Sequence, residues 1–182
     1  MIGVLVSGTG TNLQALLDEG LPISAIASNK EGVEALERGE RAGVPTAVFP
    51  LEKFASREER DLAMAEWLEQ EGVEVVVCAG YMQLLSPAFL ERFPAINVHP
   101  SLLPAFPGLD AVGQALAAGV SETGVTVHFV DEGTDSGPVI LQEPVPVERD
   151  DTRETLYGRI RPVEHRLLPQ AVRRYLTGLV RS

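Results

Sequence analysis

Short apolar runs alternate with helix-spaced patterns through the first hundred residues. Residues 2–7, 23–28, 46–49, 73–79 and 95–99 are nearly continuous apolar stretches, the pattern of strands buried on both faces. Between them, residues 12–19, 31–42 and 57–71 keep helical spacing; in the last, Leu62, Ala65 and Leu68 mark one side, and Gly43 and Gly72 end the second and third helices. A short helix is expected after Ser86-Pro87. Strands and helices alternating at this spacing predict a mostly parallel, twisted α/β sheet with helices on both faces and a Rossmann-like N-terminal half.

The pattern then changes. Residues 114–118 continue a helix, and 124–130 and 139–147 read as two strands joined by an acidic loop too short for a helix. That pair is expected to be antiparallel. Residues 152–179 read as helical with a break at Pro162. With no repeat and no low-complexity segment, residues 1–182 are expected to form one domain.

Composition narrows the function classes. A chain of 182 residues with 45% hydrophobic content can bury a full core. Its formal net charge of -11 excludes nonspecific nucleic-acid binding, although a local pocket for one small phosphate stays open. The single cysteine, Cys78, lies in the run Val75-Val76-Val77-Cys78-Ala79 and reads as a buried structural thiol. One cysteine allows no internal disulfide, which fits a reducing compartment. The chain shows neither a charged leader with a cleavage site nor an apolar run of membrane-spanning length. The expectation is a cytoplasmic protein with no membrane partner.

The chemistry concentrates at Asn97-Val98-His99-Pro100-Ser101-Leu102-Leu103-Pro104. Side chains alternate along a strand, so Asn97 and His99 project to one side where the strand stops. Pro100 and Pro104 restrict the following loop to a rigid floor. Asp131-Glu132-Gly133-Thr134-Asp135-Ser136-Gly137 follows the next long apolar strand. An amide donor, an imidazole and the Asp135 carboxylate on neighbouring strand ends suit acyl transfer. His128 lies mid-strand and reads as structural, while His165 fits either a core or a functional role. The turn Ser7-Gly8-Thr9-Gly10-Thr11-Asn12 reads either as an anion site at a helix N-terminus or as a tight turn capped by Thr11 or Asn12. It is neither a dinucleotide fingerprint nor a Walker sequence, since Leu13 takes the third glycine position and no Gly-Lys-Ser/Thr ending follows. Met82, Gln83, Leu84 and Leu85 form a patch that either packs on its own short helix or lines a cleft for a flat ligand.

Taken together, these motifs resemble the phosphoribosylglycinamide formyltransferase family over nearly the whole chain. Asn97 to Pro104, then Phe106-Pro107-Gly108 and Asp135-Ser136-Gly137-Pro138-Val139-Ile140, are similar to the wider formyltransferase superfamily. The pairing of Ser7-Gly8-Thr9-Gly10-Thr11-Asn12 with Ser28-Asn29-Lys30, and the short length, resemble the glycinamide ribonucleotide enzymes within it. The resemblance implies the formyltransferase fold and transfer of a formyl group from 10-formyltetrahydrofolate to the amine of glycinamide ribonucleotide in purine biosynthesis. It implies a catalytic trio of Asn97, His99 and Asp135. It assigns Gly10, Thr11, Asn12, Arg161 and Glu164 to the ribonucleotide. Arg57, Met82, Gln83, Leu84, Leu85, Asp131, Glu132, Gly133 and Thr134 fall to the formyl-folate. Small-molecule substrates, no nucleic acid, no metal, and a monomer or homodimer are expected. Two positions depart from the family's habit: Ala105 replaces a basic residue, and Leu109-Asp110-Ala111-Val112 lacks the usual histidines. The alternatives are another formyl-folate-dependent transferase, a formyl-folate hydrolase, or a non-enzymatic nucleotide-binding α/β domain.

Overall fold

A computed structural model describes residues 1–182. The chain divides into two compact units, Met1–Ile96 and Asn97–Ser182. Seven strands run in the order β3-β2-β1-β4-β5-β6-β7. They are β1 (Ile2–Val6), β2 (Ile23–Ser28), β3 (Thr46–Val48), β4 (Val75–Cys78), β5 (Ala95–His99), β6 (Glu122–Phe129) and β7 (Val139–Pro146).

In the first unit β1 pairs in parallel with both β2 and β4, and β2 pairs in parallel with β3. Every residue of β1 is buried, which explains its unbroken apolar sequence. The crossovers run through α1 (Thr11–Asp18), α2 (Glu34–Arg41) and α3 (Arg57–Gln70), and α4 (Pro87–Leu90) follows β4. Ser56 caps α3 by accepting from the Glu59 N–H, and Ser86 caps α4 ahead of Pro87. Cys78 is buried, and desolvation pushes its thiol up to about 12, so it is the structural thiol expected.

Two features of this unit differ from the sequence pattern. Helix α2 begins at Glu34 rather than 31, because Gly32 takes a left-handed backbone (φ 66°) and Val33 is the N-cap. The buried side of α3 includes a charge pair: Arg60 Nε donates to Asp61 Oδ1 at 2.8 Å, both side chains being wholly buried. Asp61 Oδ2 also accepts from the Ser86 N–H at 2.7 Å, tying α3 to the start of α4. Apolar spacing alone gives no signal for such a pair, since it substitutes mutual satisfaction for hydrophobicity.

In the second unit β6 and β7 are antiparallel, as the short connection requires. Helix α5 (Ala111–Ala118) starts at Asp110, whose carboxylate accepts from the Gly113 N–H. Helix α6 (Arg153–Leu176) opens with a Thr152–Thr155 capping box and packs on β6 and β7. It runs unbroken through Pro162 and Pro169, against the expected break. Leu156, Ile160, Leu167, Leu168, Ala171 and Val172 form a buried stripe across both prolines, and that packing outweighs the lost backbone bonds. No helix is long and apolar enough to cross a membrane.

Candidate active site

In the first unit, the C-terminal ends of β1, β2 and β4 meet through Ser7. Its Oγ donates to Asn29 Oδ1 at 2.6 Å and accepts from the Met82 N–H at 2.8 Å. The adjoining turn ends at Gly10, the N-cap of α1, in a left-handed backbone (φ 75°). No side chain caps α1, so the turn is not the one capped by Thr11 or Asn12 that its sequence also allowed. An uncapped first turn leaves the helix's positive end for an anion. Beside it lies a cleft of about 410 Å³ lined by Asn29, Lys30, Glu31, Pro50, Leu51, Glu52 and Gln83. In the 82–85 patch Met82 and Leu84 are exposed while Leu85 is in the core. Gln83 is held by its own Met82 carbonyl and by Arg60. Arg57 is exposed at the start of α3.

The second unit brings the three candidate catalytic side chains together. Asn97 and His99 leave the same side of β5, as alternation demands. His99 Nε2 lies 2.8 Å from the Phe106 carbonyl oxygen, which can only accept, so Nε2 carries a proton. On the other side, His99 Nδ1 is 3.4 Å from Asp135 Oδ2, an ion-pair distance rather than a short hydrogen bond. Asp135 Oδ2 accepts from the Gly108 N–H at 2.7 Å. One loop, from Phe106 to Gly108, therefore grips both the ring and the acid.

The backbone around this cluster is unusual. Phe106, Asp110 and Asp135, at φ 53°, 54° and 53°, are the chain's non-glycine residues with positive φ. Asp tolerates the left-handed region, whereas Phe pays about 1 kcal/mol or more for it. The floor beneath is held by Thr126, whose Oγ donates to the Ser101 carbonyl (2.7 Å) and accepts from the Leu103 N–H (3.1 Å). Gln142 donates both to that hydroxyl and to the Leu103 carbonyl.

His128, read from sequence as structural, belongs to the cluster. Its side chain is 2% exposed; Nε2 lies 3.2 Å from Asn97 Nδ2 and 3.6 Å from Asp135 Oδ1. Sequence gave no signal for this, because its partners are 31 positions upstream and on the following loop. Burial pushes the Asp135 carboxyl up. The His128 ring, the Gly108 N–H and the charge of His99 together outweigh burial, so it sits below the ordinary carboxylate value.

The remaining candidates of this unit form two groups. Asp131 Oδ1 accepts from the Gly133 N–H (3.0 Å) and the Ser136 hydroxyl (2.8 Å), closing the exposed loop of Glu132 and Thr134 on itself. On α6 the Arg161 guanidinium stacks 4.8 Å above the Tyr157 ring, and the Tyr157 hydroxyl donates to the buried Glu164 at 3.4 Å. Burial and the neighbouring Arg161 lower the pKa of His165 on the same helix. No group of three or more His, Cys, Asp or Glu side chains is placed to hold a metal ion.

Residues 1–172 match the formyl transferase family. The chain is 39% identical to the phosphoribosylglycinamide formyltransferase of Haemophilus influenzae, over 99% of this chain and 89% of that protein. It is 45% identical to the bovine trifunctional purine biosynthetic protein adenosine-3, of whose length it spans only 19%. The crystal structure of glycinamide ribonucleotide transformylase 1 from Symbiobacterium toebii superposes with a TM-score of 0.95 at 48% identity, covering 97% of this chain and 87% of that one.

Proposed function

The chain belongs to the formyl transferase family, among its phosphoribosylglycinamide formyltransferases, and on that premise we propose that it moves the formyl group of 10-formyltetrahydrofolate to the amine of glycinamide ribonucleotide. The observation that carries the reading is the clustering of Asn97, His99 and Asp135 where β5 ends. In this step the neutral amine attacks the formyl carbon, a new carbon–nitrogen bond forms, and the bond to the folate nitrogen breaks. The amine gives up a proton and the folate nitrogen gains one, leaving formylated ribonucleotide and tetrahydrofolate.

The three side chains divide the work. Asn97 donates an amide N–H to the developing oxyanion. His99 faces an oxygen acceptor at each ring nitrogen, so a ring protonated at both is held in place and sets positive charge near that oxyanion. Its proton reaches the leaving nitrogen once the Nε2–H releases the Phe106 carbonyl. Asp135 orients the ring and accepts the proton lost by the amine. None of these steps needs a metal.

Substrate binding is assigned on the family pattern. Gly10, Thr11 and Asn12 hold the ribonucleotide phosphate, which the uncapped start of α1 supports. Arg161 and Glu164 hold the rest of that substrate. Arg57, Met82, Gln83, Leu84 and Leu85, with Asp131, Glu132, Gly133 and Thr134, take the formyl-folate; the exposed Met82 and Leu84 support an apolar ligand. In this reading residues 1–182 work as one cytoplasmic formyltransferase domain.

Following formyl-folate consumption by purified protein with and without glycinamide ribonucleotide tests the reading. Turnover only with the ribonucleotide supports the transferase. Equal turnover without it identifies a hydrolase, and no turnover with either supports a binding domain.

A further inference from the structure

We propose that His128 is a positioning residue that fixes the amide of Asn97 in its donating orientation, with the ring held as the neutral Nδ1–H tautomer. The inference rests on the functional reading above, in which Asn97 is the oxyanion donor.

Two contacts determine the tautomer. His128 Nδ1 lies 2.8 Å from the Phe129 carbonyl oxygen, an acceptor only, so Nδ1 bears hydrogen. His128 Nε2 lies 3.2 Å from Asn97 Nδ2, a donor only, so Nε2 is bare and accepts. A single protonation state satisfies both. Asp135 Oδ1, at 3.6 Å from Nε2, is beyond hydrogen-bond distance. The other carboxylate oxygen, Oδ2, accepts from the Gly108 N–H and faces His99 Nδ1.

The strand is built to present the ring this way. The β6–β7 register pairs Val127 with Leu141 but His128 with Val139, skipping Ile140. Such a bulge re-aims the side chain beside it. Gly137 closes on the same place: a Cβ there would meet the Phe129 carbonyl oxygen at 1.8 Å, so only glycine lets the returning chain pass. The carbonyl that fixes Nδ1 is thus itself fixed.

The consequence falls on Asn97. A carboxamide turned by 180° exchanges its NH2 for its oxygen with almost no change of shape. Toward an oxyanion, that exchange replaces a donor with a repelling acceptor. A bare Nε2 accepts from the NH2 and rejects the oxygen, so it selects one orientation. One of the two Nδ2 hydrogens is spent on His128 and the other is left for substrate.

Two replacements separate positioning from packing. His128→Asn can still reach the Phe129 carbonyl but presents nothing at the Nε2 position. His128→Gln can place its Oε1 near the Nε2 position and accept from Asn97. The expected result is a kcat loss of about tenfold in His128→Asn, the scale of one net hydrogen bond. KM for both substrates should be nearly unchanged, and His128→Gln should recover most of the loss. In an Asn97→Ala background, His128→Asn should cost nothing further. Equal losses in both variants, or an undiminished effect without Asn97, would overturn the inference while leaving the transferase reading intact. Nitrogen-15 spectra of the unmodified protein decide the tautomer independently of activity or of how the variants fold. A protonated Nδ1 and bare Nε2 at neutral pH support the proposal, and a proton on Nε2 contradicts it.

Discussion

At the scale of single residues, three polar side chains matter most: His99 and Asp135 are held by backbone groups of one loop, and Asn97 by the His128 ring. Replacing Asn97 with Ala should lower turnover by about two to three orders of magnitude, the usual loss for one oxyanion donor, with the fold retained. Steady-state kinetics and circular dichroism check both halves. Asp135→Asn isolates charge, because Asn accepts the left-handed backbone at φ 53° as readily as Asp. The carboxyl is depressed in the folded protein, so its stabilising contribution is present above the unfolded carboxylate pKa and lost as pH falls through the folded value. Wild type should therefore exceed Asp135→Asn in denaturation midpoint at neutral pH, and the two should converge in acid. Asn97 and His99 were legible because both sit at one strand end and strand alternation fixes their side. Asp135 was legible only as part of an acidic loop, and His128 was not legible at all: its role depends on a bulge and on partners distant in sequence.

At the scale of elements, the turn into α1 carries the sharpest expectations. Gly10 needs its left-handed backbone, and a Cβ there would lie 2.6 Å from Ala35 Cβ on α2. Gly10→Ala should destabilise the protein by about 1–3 kcal/mol through overpacking, measured by urea unfolding. Thr11→Asp is the complementary experiment. An acid in the first turn favours the helix dipole yet repels a phosphate, so the fold should persist while ribonucleotide affinity drops. Calorimetry should find folate affinity nearly unchanged; equal loss for both ligands would point to a collapsed helix start. Element positions were mostly legible, since β2 and β5 fall where the apolar runs put them. The misses have local causes. Gly32 delays α2, and the buried stripe of α6 carries that helix past Pro162.

At the scale of the whole molecule, the sequence divides its tasks along the chain. Residues up to Ile96 supply the uncapped helix start, the Ser7–Asn29–Met82 links and the exposed Met82 and Leu84. Residues from Asn97 onward supply the amide, the two imidazoles and the acid. The alternation of strands and helices made the first part legible, and the short acidic connection made the antiparallel pair legible. The buried Arg60–Asp61 pair was hidden, because charges in a helix pattern read as solvent-facing until their partners are known. Formyl transfer is checked by following the formyl carbon itself. In a single turnover with carbon-13-labelled 10-formyltetrahydrofolate and glycinamide ribonucleotide, the label is expected on the glycinamide nitrogen, with tetrahydrofolate released in equal amount. Label recovered as free formate, or left on the folate, would contradict it.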